Sequence, residues 1–217
     1  YYTIEFEQMY LNGHYHKNKK KLKKENISTF INENEILLFF SPQSRGAAKG
    51  IIPLIRQAED SIDVSIFFLT HNKISKELVF AHERGVKVRV ILDATAAKNG
   101  YSKHNYLRKH GIDVKVENWG GKMHMKAAVF DKKHVVVGSM NWTKAGEKKN
   151  DENTIIIKNS PKHANQLFFF FEEMWNSIPT RWLLEDPNPE SKESGTSCYD
   201  LIDNDFDKII DSNEMEC

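Results

Sequence analysis

The chain has 217 residues, 40% of them hydrophobic and 28% charged. That composition suits one ordinary domain, alone or with a small appendage, and has enough apolar material for a core. No stretch approaches the roughly 20 apolar residues that a membrane-spanning helix needs; the longest runs are short pieces such as "ILLFF" and "LFFFF". The first residue is Tyr1 rather than Met, so the chain reads as trimmed and leaves open whether a signal peptide was removed.

The net charge of +1 hides an asymmetry. Asp186 to Cys217 carries ten acidic residues and two lysines, a net of −8, so the other 185 residues carry 29 basic and 20 acidic side chains, a net of +9. A basic body suits a polyanionic partner and an acidic tail suits a cation. Both cysteines, Cys198 and Cys217, lie in the tail on either side of an acid-rich loop. The arrangement reads as a disulfide clasp, which implies an oxidising compartment, secreted or periplasmic.

In chain order, residues 1–34 are a polar arm with six lysines in "HKNKKKLKKEN". It reads as a flexible solvated arm or helix, with contact to phosphates or an anionic membrane as the functional alternative. "EILLFFSP" predicts a strand stopped at Ser41-Pro42. "AAKGIIPLIRQAEDS" has helical spacing, with Pro53 in the first turn or at a kink. "IDVSIFFL" predicts a strand, "NKISKELVFAHERG" a helix closed by Gly85, and "VKVRVILD" a strand. "SKHNYLRKHG" predicts a short helix with Ser102 as N-cap and Gly111 as stop, followed by the strand "IDVKVE". Such alternation argues for an α/β domain whose mixed, largely parallel sheet has helices on both faces. "MKAAVFD", "HVVVGS" and "NTIIIKN" then predict three strands in quick succession and an antiparallel portion. "PKHANQLFFFFEEMWNSI" predicts a late helix with Leu167, Phe170, Phe171 and Met174 or Trp175 as its buried stripe. The expected organisation is an arm at 1–34, a catalytic domain at 35–184, a linker at 185–197 and an acidic loop at 198–217.

The chemistry concentrates in "HMKAAVFDKKHVVVGSMN", residues 124–141. On a strand, His124 and Lys126 share a face. An imidazole and an ammonium side by side make a poor core, and a phosphate between them would use both. Lys126 offers a cation to a phosphoryl oxygen, and His124 offers a nucleophile or an acid. Ser139 follows Gly138, where the missing Cβ permits close approach, and Ser139 and Asn141 offer neutral donors. A lone H-x-K is common by chance. His71 and Lys73 form one, but no aspartate and no Gly-Ser follow at the matching distances, so that pair reads as accidental. The set at His124 has six fixed positions: H-x-K, four residues, Asp131, six residues, then G-S-x-N.

This pattern resembles the signature of the phospholipase D superfamily. With "IIPLIRQAEDSIDVSIFFLT", "ISKELVFAHERGVKVRVILD" and "GSMNWT", it is similar to the single-motif bacterial nucleases and the mitochondrial endonuclease/cardiolipin hydrolase branch, over about residues 36–178. The resemblance implies a homodimer with two H-x-K sets across one active site. One His124 would attack phosphorus to give a phosphohistidine, and the second would protonate the leaving oxygen and then activate water. Lys126, Ser139 and Asn141 would hold phosphoryl oxygens, Glu152 would orient the histidine, and no metal would be needed. Asp131 occupies the family's position, but strand parity turns it away from Lys126, which points to a structural role.

In the tail, Asp203, Asp205, Asp207, Ile209, Asp211 and Glu214 fall at positions 1, 3, 5, 7, 9 and 12 of an EF-hand-like loop. The stretch also resembles Cys-flanked calcium-binding appendages of extracellular bacterial proteins. It departs from both at Lys208, where the EF-hand wants glycine. A calcium ion here would be structural or regulatory.

Phosphodiester hydrolysis is the reaction expected. The basic body favours a nuclease acting on DNA or RNA, with Tyr101, Trp119 and Trp142 as candidates to stack on bases. A phospholipase D acting on anionic phospholipid is the alternative, favoured by the lysine-rich arm. A nucleic-acid-binding module with a dead site is the third reading, and the intact six-position set opposes it.

Overall fold

The computed structural model describes residues 1–21, 27–119, 122–188 and 201. The cysteine pair, the calcium-type loop and most of the expected linker lie outside the described residues. Eight strands form one mixed sheet in the order β1-β2-β8-β7-β6-β3-β4-β5. Their ranges are β1 Ile27–Ile31, β2 Asn34–Phe40, β3 Ser61–Ile66, β4 Lys87–Leu92, β5 Asp113–Val116, β6 Lys126–Phe130, β7 His134–Gly138 and β8 Asn153–Lys158. The expected mixed sheet with helices on its faces is present, but its parallel share is smaller than the alternating pattern suggested. Strands β2, β3, β4, β5 and β7 point one way, yet only β3·β4 and β4·β5 are parallel neighbours. The reason is β6, which returns beside β3 in the opposite sense, so each pairing beyond it reverses direction.

Period-2 alternation sorts the side chains into two layers. Ile62, Val64 and Ile66 of β3, with Val88, Val90 and Leu92 of β4, face the main core. That core is covered by α2 (Ile52–Gln57), α3 (Asn72–Glu83) and α5 (His104–Lys109). Pro53 falls in the first turn of α2, just after a wide π-helical turn at Ala47–Ile51. Ser102 does not cap α5; its hydroxyl lies 2.9 Å from His104 Nδ1 instead. Gly111 ends that helix at φ +82°, a conformation that favours glycine.

The other face lies under α7 (Pro161–Ser177). Ala164 and Phe171 are buried in α7, and Leu167, Phe168, Met174 and Trp175 are packed partly against the sheet. Phe170, expected in the stripe, is 59% exposed. At 100° per residue it sits about 120° from Ala164 and 100° from Phe171, outside the apolar face. Charges on this face are paired: Arg89 holds Asp63 at 2.8 Å and Glu172 at 2.5 Å. The ammonium of Lys115 donates to the carbonyls of Trp175 and Ile178 at 2.7 and 2.6 Å, satisfying the end of α7.

The N-terminal segment is more structured than a solvated arm. Tyr2–Phe6 forms α1, extended by a turn at Glu7–Leu11, and Ile27–Ile31 adds an edge strand to β2. The buried Lys19 ties the segment down, with its ammonium 2.6 Å from Glu5, 3.0 Å from Asp151 and 3.1 Å from the Ser41 carbonyl. At the other end, Asp186, read as linker, is held to α5 by His104 at 2.8 Å and Arg108 at 2.7 Å.

Candidate active site

Five strands with one direction bring five carboxyl ends to one edge of the sheet. Open α/β sheets bind ligands at this edge. The residues just beyond the strand ends are Ser41, Phe67, Asp93, Glu117 and Ser139. The antiparallel strands β6 and β8 begin at the same edge, with Lys126 and Asn153 as their first residues.

Lys126 pairs with Ile66 across β3 and is 6% exposed. Its ammonium donates to the His124 carbonyl at 2.8 Å and lies 5.0 Å above the centre of the Phe67 ring. Burial lowers its pKa, while the charges of Glu152 and Asp93 oppose that shift. His124 precedes β6 and is exposed, with its ring edge-on to Phe67 at 4.7 Å. No described residue hydrogen-bonds the imidazole.

Ser139 stands where β7 ends. Its hydroxyl donates to Glu152 Oε2 at 2.5 Å and accepts from the Asn153 amide at 3.1 Å. Gly138 permits this junction, because a Cβ there would stand 2.3 Å from the Asn153 carbonyl oxygen. Asn141 accepts from the Phe68 amide through Oδ1 at 3.3 Å, which directs its amide NH₂ elsewhere as a donor. Glu152 does not reach His124 within the chain: Oε2 takes Ser139, and Oε1 takes the Asn150 side chain at 3.2 Å.

Asp131 is at the far end of β6, five residues or about 16 Å along the strand from Lys126. Its carboxylate accepts from the amides of Asp60 at 2.8 Å, Ser61 at 2.9 Å and Glu59 at 3.2 Å. It therefore closes the loop before β3, at the opposite edge of the sheet from Lys126. His71 caps α3, accepting from the Ile74 amide at 3.3 Å, and its Nε2 lies 3.3 Å from Glu147.

Two carboxyl groups behind His124 escaped sequence reasoning. Asp93 accepts from the Ala96 and Met123 amides at 2.8 Å each. Glu117 accepts from the Ala94 amide at 3.0 Å and the Trp119 amide at 2.7 Å. Burial raises the pKa of both, that of Glu117 to about 7. Asp93 fixes Met123, the residue before His124, and Glu117 is hydrogen-bonded to Asp93. The signal in the sequence was "VILD", an aspartate at the carboxyl end of a buried strand. Of the proposed stacking aromatics, Trp142 is 1% exposed and belongs to the core, so it is unavailable to bases. Trp119 is half-buried, and Tyr101 is exposed. Among the described residues, no group of three or more His, Cys, Asp or Glu is placed to hold a metal ion.

The carboxyl edge of this mixed sheet thus gathers an exposed histidine, a buried lysine and a small hydroxyl, groups whose chemistry suits an anionic phosphoryl group. The family model for "cardiolipin synthase, PLD-like domain" matches residues 51–175. Phospholipase D of Rickettsia conorii is 37% identical over 138 residues, 64% of this chain and 68% of that protein. Human mitochondrial cardiolipin hydrolase is 30% identical over 158 residues, 72% of this chain, and the match spans under two thirds (61%) of that protein. Among solved structures, Nuc of Salmonella typhimurium, a phospholipase D family member, superposes with a TM-score of 0.65 at 31% identity. That superposition covers 68% of this chain and 97% of Nuc. NucT of Helicobacter pylori gives a TM-score of 0.62 at 26% identity, covering 67% of this chain and 98% of NucT. The chain belongs to the phospholipase D-like family of phosphodiester hydrolases.

Proposed function

We propose that this chain is an endonuclease that cleaves DNA or RNA phosphodiesters through a phosphohistidine, with one active site shared by two copies. The observation that carries this reading is the exposed His124 beside the buried, charge-supported Lys126, on a body with a net charge of +9. In-line displacement needs a nucleophile and an acid on opposite sides of phosphorus, and one imidazole cannot stand on both.

A ring nitrogen of His124 attacks phosphorus. The bond to the leaving oxygen breaks, and that oxygen takes a proton from the partner's His124. The partner's imidazole, now neutral, takes a proton from water as the water oxygen attacks phosphorus. The P–N bond then breaks and returns the electron pair to His124. Lys126, Ser139 and the Asn141 amide hold the phosphoryl oxygens. No step uses a metal ion.

The test incubates the protein in EDTA with single- and double-stranded DNA and RNA, beside His124→Ala. Cutting by the wild type alone is expected, and absence of cutting on every substrate sinks the nuclease reading. The second reading is a phospholipase D, favoured by the Rickettsia relatives. Headgroup release from liposomes without nucleic-acid cutting would establish it.

We also propose, from spacing alone, that Asp203, Asp205, Asp207, Ile209, Asp211 and Glu214 bind calcium inside a Cys198–Cys217 clasp in an oxidising compartment. Terbium luminescence that calcium quenches is expected. Its absence in the oxidised protein refutes the site.

A further inference from the structure

A cleft of about 650 Å³ opens beside the catalytic edge. Its cationic walls are Lys17 and Lys21 from the N-terminal segment, Arg45 from the loop after β2, and Lys144, Lys148 and Lys149 from α6 (Lys144–Lys148) and its cap. These residues are all exposed. Among the described residues, none of the six lies within 4 Å of a carboxylate. The nearby acids are engaged elsewhere. Glu147 is turned to His71 and the Ala48 amide. Asp151 is taken by His16 and Lys19.

The cleft is built, not a chance gathering of mobile lysines. Lys19, buried in its wall, is locked by Glu5, Asp151 and the Ser41 carbonyl. Gln43 donates to the His16 carbonyl at 2.6 Å and the Lys19 carbonyl at 3.3 Å. Asp151 accepts from the His16 amide at 2.9 Å. These bonds hold Lys17 and Lys21 opposite α6. The cleft also adjoins the chemistry, because α6 joins Asn141 to Glu152 and Asp151 precedes Glu152 in the chain. Lys17, Lys21 and Arg45 lie before residue 51, outside the span matched by the family model.

We propose that this cleft binds the sugar-phosphate backbone of a nucleic-acid strand next to the phosphate being cut. The proposal rests on the nuclease reading and gives it a substrate path. Uncompensated cations lining a groove are the electrostatic footprint of a strand-binding channel. A volume of this size is ligand-sized, larger than one phosphate needs. A bilayer is the poorer fit. Headgroups form a sheet that does not enter a concave cleft, and interfacial binding wants apolar side chains around the charges; Pro42 is the one apolar residue of this lining.

The test uses the silent His124→Ala protein and a fluorescein-labelled 20-mer single strand, with anisotropy read across a sodium chloride series. Changing Lys144, Lys148 and Lys149 together to Gln is expected to weaken binding at least about tenfold. The slope of log K against log salt should fall by about 2, since each single-strand phosphate contact contributes about 0.7. The triple change to Arg keeps the charge and should keep the binding, and near-UV circular dichroism reports the fold of both variants. An unchanged affinity and slope in the folded Gln variant overturns the proposal. Loss of phosphatidylglycerol-vesicle binding with oligonucleotide binding intact also overturns it. The nuclease reading is judged separately, by cutting with the wild-type chain in EDTA. A protein that binds strands through these lysines but cuts none keeps the cleft and loses the nuclease.

Discussion

Replacing Gly138 by Ala tests whether close approach of β7 and β8 sets the catalytic geometry. The new Cβ would stand 2.3 Å from the Asn153 carbonyl oxygen and 3.0 Å from the Thr154 Cα. Both contacts are backbone, so no flexible side chain can yield. Restoring an ordinary separation needs a shift of about 1 Å. The hydrogen bonds across this junction include the Ser139 and Met140 amides to the Asn153 carbonyl at 3.1 and 3.3 Å, the Asn153 amide to Ser139 Oγ at 3.1 Å, and the Ser139 hydroxyl to Glu152 at 2.5 Å. Overpacking of this kind costs about 1–3 kcal/mol, and weakened bonds add about 1 kcal/mol. For a chain of this length, a total of about 3 kcal/mol lowers the melting temperature by about 6–12 °C. The displaced hydroxyl is the larger functional effect, because a misplacement of about 1 Å costs on the order of 100-fold in rate. Hydrolysis of bis(4-nitrophenyl) phosphate and a thermal melt read the two effects. A variant with kcat within about twofold of wild type and an unshifted melt would refute the reasoning.

Asp131→Ala should lower stability by about 2–3 kcal/mol, because three backbone amides lose a charged acceptor, while kcat below the melt stays near wild type. Asp131→Asn should recover part of the loss, since its amide oxygen still accepts and Asn tolerates φ +51°. Unchanged melting with lost activity would show that Asp131 acts in the chemistry after all. Glu117 is held protonated up to about pH 7 by burial. The folded state therefore keeps a proton that the unfolded state releases above its ordinary range near 4.5. Stability should fall as pH rises from about 4.5 to 7, by at most about 3 kcal/mol at 1.36 kcal/mol per unit. Asp93, also raised, acts in the same direction. Glu117→Gln should flatten that decline in melts run at pH 5, 6 and 7, and a slope identical to wild type would count against the buried pair as its source.

Much of the fold was legible because local periods carry it. The alternation in "VKVRVILD" set β4, and Pro161 with the apolar spacing after it set α7. What escaped depends on neighbours far away in sequence. β1 is an edge strand that looks like part of a polar arm, because only Ile27 of its five residues is buried. Phe170 looked like core because four consecutive phenylalanines leave helical phase ambiguous by one position. Trp142 sits in "GSMNWT" among site residues, yet its backbone bridges Leu69 and its ring fills the core. A short motif gives residue types, and side-chain direction comes from the turn that follows the strand.

The site shows the same division more sharply. His124 lies two residues before Lys126, the first residue of β6, so their proximity was readable from the H-x-K spacing alone. Ser139 and Glu152 meet only because β7 and β8 are neighbours, and Lys126 reaches the field of Asp93 only because β3 and β4 follow β6. At about 4.8 Å per strand, the order β8-β7-β6-β3-β4 places Glu152, Ser139, Lys126, Phe67 and Asp93 in succession along one edge. The ammonium thus sits two strands from a carboxylate on either side. Burial pushes Lys126 toward its neutral form, and those two carboxylates push it back toward the charged form. Neither is in the six-position motif. The strand order that the motif does not encode is therefore what sets two carboxylates against the desolvation of its lysine.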